Sequence, residues 1–296
     1  MSLNALDRLL ECALFIAGLA FGSFLNVCIS RIPRDQSIIA PPSHCEACGD
    51  PIRWYDNVPL VSWLLLRGRC RHCGLRISAR YPAVELLTAV LFTASYFSFG
   101  WTLLTLKSCV FAFLLVGLIF MDAETGLLVH EFTYPGIVLG LVFSWLVPTD
   151  YAATAFLLRM FDKQVRNASW LSLLDSTLGC LVGAGFFYLA WALYYLIRKK
   201  HGLGFGDIAL MGMAGAFLGV KLILAVIFCS PVLAVIYVCI LLVREIFASR
   251  AKTETGALEE EPFLNRQIPF GVFLGTSSLA VMFVGQAMWS WYLRRI

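Results

Sequence analysis

Long apolar stretches recur at 10–30, 82–99, 102–121, 132–149, 171–197, 207–220, 222–243 and 268–292, with mostly short polar segments between them. Most approach the roughly 20 residues a helix needs to cross a bilayer. Lipid offers no water to backbone amides, so such stretches must satisfy them internally, as helices. The expected fold class is therefore an all-α polytopic membrane protein of about eight transmembrane helices. The sixth stretch, 207–220, is short and needs its flanks to cross. Composition agrees: 59% of residues are hydrophobic and 14% charged, where a soluble domain carries about 25% charged residues. The first stretch reads as a retained span rather than a removable signal. Asp7, Arg8 and Glu11 flank it, and no small-residue cleavage site follows its apolar core.

Charge orients the spans, because Lys and Arg in short loops stay on the cytoplasmic side. The 31–81 segment carries Arg31, Arg34, Arg53, Arg67, Arg69, Arg71, Arg76 and Arg80, and the next basic loop begins Arg198-Lys199-Lys200. The 244–267 loop adds Arg244, Arg250, Lys252 and Arg266, diluted by its acids. With eight spans these loops and the 122–131 turn share one face, expected to be cytoplasmic, and both termini lie outside. The chain divides into a first helix (1–30), a cysteine-bearing segment (31–81) and a seven-helix membrane domain (82–296). The 150–170 stretch is expected as a loop.

Four of the ten cysteines form two pairs, "CEAC" at 45–48 and "CRHC" at 70–73. This spacing suits a closed tetrahedral site in which Cys45, Cys48, Cys70 and Cys73 hold a structural Zn2+ between two knuckles. Redox dithiols or a pair of disulfides are the alternatives, and a reducing compartment weighs against stable disulfides. A closed site leaves no position for substrate, so its work is to fold a segment too small for a large core.

Acids in or beside the spans are few, and each is costly to desolvate. Two stand out. Asp122 falls where the third span ends, in "LIFMDAETG" (118–126), and Asp207 where the sixth begins, in "GFGD" (204–207). Alternating span direction brings both to the same face. Singly, either acid could be structural: Asp207 could cap a helix N-terminus, and Asp122 could end one. Together they suggest a dyad in which one carboxyl keeps a proton while the other activates water. Gly204 and Gly206 would let a substrate strand approach the backbone closely.

These residues resemble the bacterial prepilin peptidases, a family of GxGD membrane aspartic proteases also called type IV leader peptidases. The resemblance rests on "GFGD", on "FGSFLNVCISRIP" (21–33), on both cysteine pairs, on "PIRWYDNVPLVSWLLLRGRCRHCG" (51–74) and on "ISARYPAVELLTA" (77–89). "IPFG" at 268–271 fits the family's last span. The resemblance implies an enzyme of the bacterial inner membrane with Asp122 and Asp207 as catalytic residues on the cytoplasmic side. It implies removal of the basic leader from type IV prepilins or type II secretion pseudopilins. It further implies N-methylation of the new N-terminal residue with S-adenosylmethionine. The expected partners are those substrates and membrane lipid, with no nucleic acid. One departure from the family stands at 128–130, where the usual LPD is Leu128-Val129-His130. No glycine-rich nucleotide fingerprint follows a strand, so the residues themselves do not locate a methyl-donor site. Glu85, near the start of the second span, is a candidate to bind the new amine, or else to pair with Arg80. A peptidase without methylation, or a membrane transporter or assembly scaffold, is the alternative function.

Overall fold

The computed structural model describes residues 3–45, 47–148, 151–160, 167–199, 204–253 and 269–293. Among these the regular structure is helical: α1 (Leu3–Arg31), α2 (Val61–Leu65), α3 (Arg80–Phe99), α4 (Leu103–Thr125), α5 (His130–Leu146), α6 (Ala152–Met160), α7 (Ala168–Arg198), α8 (Phe205–Thr253) and α9 (Phe270–Leu293). Among the described residues, five helices are long and apolar enough to cross a membrane: Leu6–Arg34, Arg80–Phe99, Leu103–Thr125, Ala168–Arg198 and Phe205–Arg244. The chain is thus a membrane protein. The segment after α1 holds two short 3-10 turns, the small α2 and two isolated antiparallel bridges.

Several expected boundaries shift. The 150–170 stretch is not simply a loop, because it contains the nine-residue α6. The polar segment from 244 begins as helix, carried on to Thr253 by good helix formers. Its "EEE" at 259–261 lies outside the described residues. Asp122 sits inside the last turn of α4 rather than at its end. That helix stops at Gly126, whose left-handed conformation (φ 66°) lets its amide donate to the Asp122 carbonyl at 2.9 Å.

The sixth and seventh apolar stretches form one continuous run, α8, broken at Gly219 (φ 78°, ψ 177°). Two close approaches show how the chain turns there. A Cβ on Gly179 of α7 would lie 2.6 Å from the Gly215 carbonyl oxygen and 2.9 Å from Gly219 Cα. One helical turn on, a Cβ on Gly183 would lie 2.4 Å from the Met211 carbonyl and 3.1 Å from Ile223 Cγ1. Both arms of α8 therefore flank the same side of α7, and the chain doubles back at Gly219. The reversal is held by Asp175 of α7, which is buried. Its carboxylate accepts from the Val220 amide at 3.2 Å and from the Thr154 hydroxyl of α6 at 2.6 Å.

Small residues set the other helix approaches, as expected where lipid offers no hydrophobic drive between helices. Gly18 and Gly22 of α1 lie against Ala89 and Glu85 of α3, where an added Cβ would come within 2.5 and 2.6 Å of their Cα atoms. Gly136 and Gly140 of α5 make room for Met213 and for Ala216 and Phe217 of α8. The core is apolar and central, with Phe111 and Phe217 stacked at 4.5 Å among Leu115, Leu118, Met121, Leu210 and Met211.

Candidate active site

The end of α4, the start of α8 and the start of α9 meet at one end of the bundle. Asp122 and Asp207 are 5% and 8% exposed there, and their charges interact. Leu128, in the turn after α4, is wedged between Gly206 and Gly271. A Cβ on Gly206 would fall 2.5 Å from Leu128 Cβ, and one on Gly271 would fall 2.9 Å from Leu128 Cδ1 and 2.8 Å from Asp122 Oδ2. Packing alone thus gives Gly206 a reason to be glycine. Gly204 is more open, its nearest outside atom being Asp207 Oδ2 at 3.6 Å from an added Cβ.

Each acid is held by backbone. Asp122 Oδ2 accepts from the Val272 amide at 3.0 Å, and the Gly271 amide also bonds this carboxylate. Asp207 lies within the first turn of α8, not at its N-cap, and its carboxylate accepts from the Gly204 amide at 3.3 Å. The α9 amides were invisible in the sequence, since a main-chain donor has no residue signature; only the "IPFG" stretch pointed to that place. His130 is exposed and stacks on Tyr134 at 4.8 Å, so that half of the departure from LPD falls on an outward ring, while Val129 packs against the core.

The four paired cysteines do converge. One atom from each of Cys45, Cys48, Cys70 and Cys73 lies within 4.8 Å of the others, so the cluster could bind a metal. The sulfurs of Cys45 and Cys73 are 3.8 Å apart and those of Cys48 and Cys70 are 4.0 Å apart. Tetrahedral Zn–S bonds of about 2.3 Å imply about 3.8 Å between sulfurs. The two knuckles repeat one hydrogen-bond pattern. Cys45 and Cys70 donate to the carbonyls of Asp50 and Leu75, and their own carbonyls accept from Gly49 and Gly74. Those glycines adopt φ 74° and 69°. A glycine directly after each cysteine pair is a signal that sequence reading passed over. Amides of Cys73 and His72 pull the Cys70 thiol down to about 6, stabilising a thiolate of the kind a metal takes. Beside the cluster, Arg71 forks onto Asp56 at 2.8 and 3.1 Å and holds that carboxyl below its usual range. All ten cysteines are free thiols.

Glu85 is buried and does not pair with Arg80. It accepts from the Leu60 amide at 2.8 Å and from the Ser23 side chain. Arg80 instead pairs with Glu124 of α4, two residues past Asp122, and donates to the Ser30 hydroxyl of α1 at 2.8 Å. One guanidinium thus ties the entrance of the cysteine segment to the helix end that carries Asp122.

Comparison with known proteins bears on this arrangement. The bacterial peptidase A24 N-terminal domain matches residues 16–99, and the type IV leader peptidase family matches residues 109–239. Among relatives, a prepilin leader peptidase/N-methyltransferase of Myxococcus xanthus is 40% identical over 84% of this chain and 67% of its own. Those of Neisseria gonorrhoeae and Aeromonas hydrophila are 33% and 31% identical, covering 75% and 94% of this chain and 78% and 92% of theirs. The chain belongs to the type IV leader peptidase family. The two matched regions divide the molecule between the cysteine segment with its flanking helices and the helices that carry Asp122 and Asp207. No solved structure matches the chain.

Proposed function

We propose that this leader peptidase removes the basic leader of type IV prepilins or type II secretion pseudopilins and then N-methylates the exposed residue with S-adenosylmethionine. The observation that carries the reading is the convergence of Asp122 and Asp207, both buried, on one end of the bundle around Leu128. Two buried carboxyls brought to one site share a proton. The ionised one takes a proton from water as the oxygen attacks the scissile carbonyl, and the protonated one donates to the departing amide nitrogen. Main-chain amides fix both acids without adding a competing charge.

In this reading α8 supplies two crossings, joined at Gly219, and α5 and α9 complete eight. The arginine-rich segment 31–81 and the acid pair share the cytoplasmic face of the bacterial inner membrane. A basic leader remains on that face by the same rule, with its apolar helix in the lipid. The segments 1–30, 31–81 and 82–296 act as anchor helix, zinc-folded module and catalytic domain. Cys45, Cys48, Cys70 and Cys73 hold Zn2+, a fit supported by their sulfur separations. When bound, S-adenosylmethionine supplies an electrophilic methyl group, and Glu85 receives the amine.

The test is mass spectrometry of a synthetic leader-plus-helix peptide incubated with detergent-solubilised enzyme. Asp122→Asn and Asp207→Asn should each lower leader removal by a factor on the order of 10³ or more, with zinc content and elution volume unchanged. Cleavage at the wild-type rate by either variant sinks the dyad.

A further inference from the structure

A cavity of about 710 Å³ lies between α1, α3 and the cysteine segment, and α2 forms part of its wall. Leu60, Ser62, Trp63 and Leu66 line that cavity. Val61, Leu64 and Leu65 stand at i, i+3 and i+4 of the same short helix and share its other face. That face is open, with Leu64 at 66% and Leu65 at 78% exposed, and Trp54 ahead of it at 82%. In water this pattern is inside out, because an amphipathic turn packs its apolar stripe inward. Depth resolves the inversion. The Leu60 amide donates to Glu85, which also accepts from the Ser23 side chain. Ser23 lies eight residues before Arg31, where α1 ends, and Glu85 lies five after Arg80, where α3 starts. At 1.5 Å per residue, α2 therefore begins roughly 7–12 Å inside the helix ends. It then climbs toward the surface, since Trp63 Nε1 donates at 3.3 Å to the carbonyl of Ile77, just ahead of α3. At the starting depth the outer sides of α1 and α3 already present exposed apolar groups, Phe24 and Leu86. Arg67 and Arg69, both exposed, follow α2 directly. Asp56, the one acid between Trp54 and Arg69, is taken up by Arg71.

We propose that α2 is an interfacial anchor of the cysteine segment. Val61, Leu64, Leu65 and Trp54 sink into the leaflet at the acid-pair end of the bundle, and Arg67 and Arg69 bind the phosphates of its phospholipid headgroups. Interfacial helices lie about 5–10 Å into the boundary between headgroups and acyl chains, close to the depth that Ser23 and Glu85 set here. Trp belongs in that zone because its ring is apolar and its N–H is polar. Arginine there is drawn to anionic lipid. A helix of five residues carries too little apolar area to hold a protein on a bilayer by itself. The spans α1 and α3 do that, and the anchor sets how the segment between them lies. It keeps the four cysteines down on the membrane beside the end of α4, to which Arg80 already ties the segment through Glu124.

The experiment puts the photoreactive residue p-benzoylphenylalanine in place of Leu65 in the full-length chain, an exposed position that tolerates it. The protein is placed in nanodiscs of phosphatidylcholine, with or without phosphatidylglycerol, and an elution volume equal to wild type shows that it is intact. After irradiation, the adducts on the peptide carrying residue 65 are identified by mass. Phospholipid adducts are expected in both bilayers, with phosphatidylglycerol enriched about fivefold or more over its share of the mixture. Arg67→Gln combined with Arg69→Gln should abolish that enrichment and leave the phospholipid adducts in place. Enrichment that survives both substitutions overturns the role given to the arginines. The absence of phospholipid adducts overturns the anchor. So does an adduct to a second copy of the chain, which makes this face a contact between copies. Loss of the lipid adduct when a leader-plus-helix peptide is added, with the peptide crosslinked instead, makes the face a substrate groove and overturns the proposal as well.

Discussion

At the scale of single residues, the acids matter less by themselves than through what keeps them still. Asp122 owes its position to two amides at the head of α9 and to the absence of a side chain on Gly271. Gly271→Ala places a methyl 2.8 Å from Asp122 Oδ2 and 2.9 Å from Leu128, so either the carboxylate or the wedge must move. A displacement of about 1 Å costs on the order of 100-fold in rate. We expect kcat for leader removal to fall by about 10- to 100-fold with KM little changed, as steady-state cleavage of the synthetic peptide will check. The acids themselves were readable in the sequence, because two ionisable groups beside apolar runs are conspicuous. Their supports were not, since a backbone N–H looks alike at every position, and the role of Gly206 is a contact between segments far apart in the chain.

Among the elements, the reversal of α8 at Gly219 decides where Asp207 stands. The short arm before it is a rigid rod with Asp207 at one end and the Asp175-bound turn at the other. Hydropathy marked the two arms, and the structure adds that they meet through a single residue. The sequence marked a break only at Lys221, between 207–220 and 222–243, and could not show that the reversal falls on Gly219. Asp175 accepts from the Val220 amide and the Thr154 hydroxyl and acts electrostatically on the buried Lys107. Asp175→Ala should therefore destabilise the enzyme by about 1–3 kcal/mol for each buried donor left unmet. Asp175→Asn, which keeps an acceptor, should recover much of it. Thermal unfolding in detergent will separate the two. The boundaries misjudged in the sequence were those where the polar flank of an apolar run is itself a good helix former. The extension of α8 to Thr253 is such a case; α6 is a different one, a short and mostly apolar helix buried in part through Thr154.

Across the whole molecule, a small cysteine module and a helical bundle are joined at one end by Arg80. The module has few regular elements and little core of its own, so its fold leans on the four thiols. On the zinc reading, stripping the metal with a strong chelator should open residues 45–73 to trypsin and make four more cysteines alkylable, counted by mass, while α4 to α9 stay folded. The cysteine spacing made this module legible in the sequence. The cavity beside it was hidden, because its lining is gathered from α1, α3 and the loop between them, and no one stretch of sequence shows that they enclose a space. The grip of α9 on Asp122 also bears on synthesis. While the ribosome is still making residues before Pro269, the nascent enzyme already contains both acids, but one of them lacks its anchoring amides. On the dyad reading, proteolysis then waits for α9 to insert, and a copy that lacks α9 is inert toward its substrates.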